Sequence, residues 1–398
     1  MKTGLKLKNK MLLVFVLCIS LFLAVTTLTL SAEYRYIKVC VPLSEVVPSG
    51  INNQGEVFGT VDFMIFLGFP IPIVEISKGF LYNGWQYIEL LPPGWAAAVV
   101  ASMNENGVVV GWGFPSFIPK NGTYAKKGFI YREGIYTELL PPGWTDASAA
   151  GINKSGVVVG GGGDVTGRAK GFIYKDGNYT ELLPLGWINA GANKINEREM
   201  VLGNGNGNNG TEMGFIYNDG VYTELLPPGW TAARTWDINE SGVVVGTGAD
   251  ITGKYKGFIY KDGNYTELLP PGLDSAHFIG INDNGVVICN WYDSNNMLKG
   301  FIYKDGIYTE LLPPGWTDAN AGGINEGGVV FGNGHDSNYL LKGFVYNNGT
   351  YTELLPPGWA VSVASGINDN GVVVGSGRKY GDCKRHLCNM KGFIAVTK

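Results

Sequence analysis

Seven glutamates recur at one position of a repeated segment: Glu89, Glu138, Glu181, Glu224, Glu267, Glu310 and Glu353. Four aspartates, Asp164, Asp250, Asp293 and Asp336, recur at another. Paired carboxyls are the machinery of glycoside hydrolysis, one working as acid and the other as base or nucleophile. Aspartates beside asparagines and carbonyls are also ligands that calcium takes. Each carboxylate, however, belongs to a separate unit, so neither set supplies two acids from one segment. The three histidines, His277, His335 and His386, fall in different units, and no G-x-S-x-G, H-E-x-x-H or C-x-x-C spacing occurs. The expectation is no catalytic residue, no metal site and no cofactor, with a carbohydrate-active enzyme built from these acids as the alternative.

What positions the carboxylates is a repeat. The pair Gly-Phe recurs at Gly79, Gly128, Gly171, Gly214, Gly257, Gly300, Gly343 and Gly392, the central six copies 43 residues apart. The asparagine of "INKSGVVVG" recurs eight times, from Asn52 to Asn368. A fixed period of this length marks a repeat architecture before any other signal is weighed. Each unit reads as four short strands: "ASAAGIN", "VVVGGG", "KGFIY" and "NYTELL". The second is rich in β-branched residues, and the Asp-Gly between the third and fourth is a strong two-residue hairpin turn. Four strands in 43 residues is the size of a propeller blade.

The fourth-strand segment occurs only seven times, because the chain stops after "KGFIAVTK". Near the other terminus, "YRYIKVCV" places Tyr36, Val39 and Cys40 where Tyr, Leu and Leu stand in "YTELL". An orphan strand at one end and a three-stranded unit at the other complete each other and remove two sheet edges. The predicted fold is all-β: an eight-bladed β-propeller of four-stranded blades over residues 33–398, with the ring closed by an N-terminal outer strand.

The hairpin turn fixes the register within a unit. Tyr174 faces Tyr179, Phe172 faces Glu181, and Lys170 lies diagonal to Glu181, close enough to touch. Lysine holds that position in seven of eight units, with Met213 the exception. A repeated Lys–Glu pair is thus the structural reading of the glutamate ring.

"KGFIYKDGNYTEL" with "SAAGINKSGVVVG" resembles the extracellular HAF-repeat family. Its units pair a His-Ala-Phe-like hairpin with an A-x-x-I-N-x-x-G-x-V-V-G segment. Lys170-Gly171-Phe172 stands in place of His-Ala-Phe, so the resemblance is to a divergent member, and it covers essentially all of residues 33–398. It implies an exported β-propeller-like repeat protein and assigns no chemistry.

Export is also legible in "MKTGLKLKNK" followed by an uncharged apolar run from Met11 to Leu30, which reads as a signal peptide over residues 1–32. Uncleaved, the run is long enough to anchor the chain in a membrane. Loss of Lys2, Lys6, Lys8 and Lys10 with it leaves 26 Lys+Arg against 34 Asp+Glu, near −8, which argues against a nucleic-acid partner. Four cysteines remain, too few for a disulfide framework, although Cys383 and Cys388 in "DCKRHLC" can close a local staple.

Two sets of residues are candidates for recognition. Trp95, Trp144, Trp187, Trp230, Trp316 and Trp359 end the "PPGW"-type turns, either as wedges between blades or as an aromatic ring for sugars and flat ligands. Enlarged segments between the second and third strands of blades eight, one and two are adjacent in a closed ring. They carry Phe63, Phe66, Phe69, Phe114, Phe117 and Tyr124 beside Arg378 and Lys379. Apolar surface of this kind marks an interaction site. The expected protein is a secreted or cell-surface monomer, a non-enzymatic binding module for an unknown protein or glycan. A purely structural envelope protein is a further alternative.

Overall fold

The computed structural model describes residues 34–40, 44–66, 73–116, 125–270, 277–293, 297–380, 383–384, 387–388 and 390–397. The expected leader lies outside them. Blade three shows the plan: strands Ser148–Ile152, Val158–Gly163, Ala169–Lys175 and Asn178–Leu182 form one antiparallel sheet in chain order. Between the third and fourth strands Asp176 and Gly177 both take positive φ, 50° and 83°, the type I′ geometry whose twist matches the strands it joins. Tyr174 pairs with Tyr179 and Phe172 with Glu181.

Six such four-stranded sheets, and one eight-stranded sheet in which a bridge between Lys299 and Ala319 joins blades six and seven, make an all-β propeller of eight blades. The eighth consists of Val361–Ile367, Val373–Arg378 and Lys391–Thr397, with Tyr34–Val39 antiparallel to the last of these as its outer strand. Val39 lies opposite Gly392 and Tyr36 opposite Ala395, the register of "YTELL" in the other blades. The first strands of neighbouring blades touch all the way round, the eighth touching the first, so they are the inner strands.

Each third strand buries a phenylalanine, and Phe172 and Phe215 are 0% exposed. In seven blades the residue opposite is glycine: a Cβ on Gly160 would stand 2.1 Å from the Ser148 carbonyl oxygen and 2.8 Å from the Phe172 ring. Cys289 takes this place in blade six, paired with Phe301, whose exposure rises to 9%.

The asparagine before each first turn does more than shape that turn. In blade three Asn153 Oδ1 accepts the Val157 amide at 2.9 Å, and its Nδ2 donates to the Asn196 carbonyl of the next blade at 3.3 Å. All eight asparagines make the second bond in the same sense, the last from Asn368 to Asn52. A tyrosine hydroxyl ties blades further out: the Leu140 amide donates to Tyr179 Oη at 3.1 Å and the Leu183 amide to Tyr222 Oη at 3.0 Å. Every inner strand also carries a bulge three residues before its asparagine, at Trp236 in blade five and Asn193 in blade four.

Two segments read as loops contain strand. In blade one, Val57–Phe66 and Ile73–Tyr82 run on as a long hairpin with Phe63 opposite Ile76 and Phe66 opposite Ile73, as their β-branched and aromatic residues favour. In blade eight, Cys383 and Cys388 lie directly opposite each other on a pair of two-residue antiparallel strands.

Candidate functional site

The recurring carboxylates are held by lysine. Lys78–Glu89, Lys127–Glu138, Lys170–Glu181, Lys256–Glu267, Lys299–Glu310 and Lys342–Glu353 pair at 2.5–3.1 Å. In blade four, where methionine replaces lysine, Glu224 instead accepts the Trp187 indole N–H at 2.7 Å. The loop aspartates converge on the same ammonium groups: Asp164 lies 2.9 Å from Lys170, Asp250 2.9 Å from Lys256 and Asp336 3.0 Å from Lys342. Asp293 stands further off, 3.9 Å from Lys299. The second oxygen of Asp164 accepts the Thr166 amide and hydroxyl at 2.8 and 2.6 Å, so it folds its own loop. The Thr166 hydroxyl first, and then the Lys170 ammonium, hold the Asp164 carboxyl below the ordinary carboxylate range. Asp250 repeats the arrangement with Thr252 and Lys256. A carboxylate ringed by N–H and O–H donors is set up as a structural acceptor, and these are the acids on which the enzyme alternative depends.

The tryptophans are not an exposed aromatic ring. Trp144, Trp187, Trp230 and Trp359 are buried, and Trp95 and Trp316 are partly buried. Each ends a type II turn. The Trp187 amide donates to the Pro184 carbonyl at 3.0 Å, and Gly186 supplies the positive φ that the third turn position requires. Each indole then meets a third-strand phenylalanine edge-on, as with Trp187 and Phe215 at 5.8 Å and Trp144 and Phe172 at 6.0 Å. Edge-to-face packing with burial suits wedges rather than a platform.

Strand alternation puts the loops between second and third strands and the loops between blades on one face. Of the residues expected to form an apolar patch there, Phe69, Phe117 and Tyr124 lie outside the described residues. Phe63 and Phe66 sit on a strand of blade one, as above. Phe114 ends a strand of blade two and meets Trp112 edge-on at 5.9 Å, with Lys126 Nζ 5.2 Å from the Trp112 ring. The Arg378 carbonyl accepts the Ala360 amide at 2.8 Å, and Lys379 is exposed. Other apolar side chains crown the same face: Leu185, where the other described turns have proline, is 99% exposed, and Val165 and Ile251 at loop tips are 75% and 81% exposed.

Sequence reasoning passed over two features of the inner strands. At the end bearing the asparagine turns, Glu105, Glu197, Glu240, Asp283, Glu326 and Asp369 follow the asparagine, and each accepts a backbone amide from the preceding blade. Burial first, and then the flanking carboxylates, raise Glu240 and Glu326. The second feature breaks the repeat. Strands Trp187–Ile195 of blade four and Trp230–Ile238 of blade five bring Lys194 within 3.3 Å of Asp237. Arg234 lies 5.8 Å from the Trp236 ring, and its Nε donates to Glu212 Oε1 at 2.8 Å. The signal was present as a departure from the other units at a fixed offset from the asparagine.

No family model matches the chain, and no curated protein does. Solved structures with a similar fold include the β-propeller domain of the Trilobed protease from Pyrococcus furiosus, at 10% identity and a TM-score of 0.49 over 79% of this chain and 98% of that one. Pyrococcus horikoshii acylaminoacyl peptidase is similar at 9% identity and a TM-score of 0.48, over 85% of this chain and 59% of that one. A polysaccharide lyase, an ulvan lyase, is similar at 11% identity and a TM-score of 0.42, over 80% and 96%. At such identities the likeness is one of fold alone.

The chemical division within the molecule is therefore between repeated residues, which hold each blade and join it to the next, and the residues that depart from the repeat. The latter lie on the enlarged-loop face and on the inner strands of blades four and five.

Proposed function

We propose that the protein is an exported, non-enzymatic binding module that presents one loop face of its propeller to a partner. The observation that carries this reading is the fate of the repeated acids: each strand glutamate is engaged by a lysine or, at Glu224, by an indole N–H. Acids so engaged serve the scaffold. Exposed apolar loop tips on the face where the repeat varies suit recognition, since loops on a rigid frame are where binding residues concentrate. The resemblance to HAF-repeat proteins and the basic-then-apolar leader support export.

The test is a binding screen of residues 33–398 against glycan and envelope-protein arrays, run beside assays for released reducing ends and peptides. The expected result is saturable binding without product, weakened at least about tenfold by the double substitution Phe66→Ser/Phe69→Ser at unchanged thermal stability. Product release abolished by Glu181→Gln would make the protein an enzyme and overturn the reading.

A further inference from the structure

Blade five departs from the symmetry of the other blades at one place. Three residues before the buried asparagine, at the bulge, seven blades carry a side chain no larger than that of Ile279, and blade five carries Trp236. Two residues before it, six blades carry glycine or serine, whereas blade four has Lys194 and blade five Asp237. Bulges re-aim side chains, and they recur where a sheet meets a ligand.

The indole is oriented rather than loose. Trp236 Nε1 donates to Thr247 Oγ1 at 2.6 Å, yet the residue remains 38% exposed. Arg234 is fastened beside it through contacts from Nε and Nη2 to one oxygen of Glu212, at 2.8 and 2.6 Å, and its side chain is 53% exposed. Lys194 is 54% exposed against Asp237, whose other oxygen accepts the Ile281 amide at 3.2 Å. A part-exposed indole with the Arg234 guanidinium over its ring, 5.8 Å from the centroid, thus shares the inner strands of blades four and five with the Lys194–Asp237 pair.

We propose that this inner-edge cluster binds a neutral saccharide, with a pyranose face stacked on Trp236 and ring hydroxyls bonded among Arg234, Glu212, Lys194 and Asp237. The indole offers a broad apolar face with its polar edge already anchored. Charges that cancel favour neither a polyanion nor a polycation. Ammonium and guanidinium donors alternating with carboxylate acceptors match hydroxyls, which both donate and accept. An extended peptide is disfavoured, because the strand edge it would pair with is taken: Asn204 of blade four accepts the Thr235 amide at 2.7 Å and donates to the Thr235 carbonyl at 3.0 Å. The proposal rests on the binding-module reading but places the ligand on a different surface.

The experiment is calorimetric titration of residues 33–398 with cellopentaose, maltopentaose, mannopentaose and chitopentaose, with heparin as the polyanion control. The expected result is saturable binding of at least one neutral oligosaccharide, weakened at least about tenfold in Trp236→Ala and partly restored in Trp236→Phe. Arg234→Met, which keeps the indole, supplies an independent loss should Trp236→Ala fail to fold. Heparin binding alone, or no binding of any pentasaccharide at millimolar concentration, overturns the proposal. Saccharide binding that survives Trp236→Ala but is lost in the phenylalanine double variant overturns this site and leaves the module reading standing.

Discussion

The Asn368 side-chain amide donates to the carbonyl of Asn52, 316 residues away, at 2.9 Å. The same bond passes from each blade to the next, so eight donors point one way around the axis. Asn196, 4% exposed, shows what each contributes: Oδ1 accepts the Arg198 and Met200 amides, and Nδ2 donates to Asn239. Asn196→Ala takes the side-chain acceptor from the Arg198 and Met200 amides and leaves the Asn239 carbonyl only the Gly242 amide. The expected cost is about 2–4 kcal/mol in urea unfolding, and a cost below about 1 kcal/mol would reduce the asparagine to a turn former.

The two kinds of tryptophan should separate on truncation. Trp187 is 2% exposed and packed on Phe215, so Trp187→Ala is expected to cost about 3–5 kcal/mol. Trp236→Ala should cost less than half of that. Equal losses in paired denaturation curves would mean that Trp236 is a wedge like the rest.

Acid should weaken the blades through Asp164 and Asp250. Their carboxyls lie below the ordinary value of 3.8 in the folded protein, so the stability they confer is present above that value and lost as pH falls through the lowered folded one. Asp164→Asn/Asp250→Asn should be less stable at neutral pH and lose less on acidification below about pH 4. Glu240 and Glu326, raised by burial, work in the opposite sense and favour the fold as they take up protons. Unfolding free energies measured from neutral pH downward decide the matter: parallel curves for variant and parent would remove the aspartates from the explanation.

Tyr339 adopts φ of 58° where the sister loops have Gly167 and Gly253, and it is 74% exposed. A bulky side chain in that region is strained by about 1–2 kcal/mol, and an exposed one returns little through contacts. Tyr339→Gly is therefore expected to raise the unfolding midpoint. A fall would show that the ring makes contacts worth more than the strain.

The blade plan was legible because the repeat states it eight times. The Asp-Gly turn set Tyr174 against Tyr179, and the diagonal from Lys170 to Glu181 followed from that register alone. The outer strand Tyr34–Val39 was legible as the copy missing from the other terminus. Contacts between blades were not. A local pattern in "INKSG" is the same whether Asn153 shapes only its own turn or also reaches Asn196, since the second partner lies 43 residues on. Nor could spacing show Asp164 and Glu181 meeting at one ammonium, because the loop between them folds around its own aspartate. In blade one, Phe63 and Phe66 read as loop because an insertion was equated with irregular backbone, whereas their neighbours are strand formers.

The pairing of Tyr34–Val39 with Lys391–Thr397 also decides how the molecule carries a load. Tyr34 lies opposite Thr397, so the two strands leave the eighth blade side by side at the same end. Tension between them would open that pair first and then each next pair in turn, as a zip opens, never loading the ladder bonds together in shear. Pulled by one end, the propeller keeps this seam at rest; stretched between both, it would part there before any other blade felt the force.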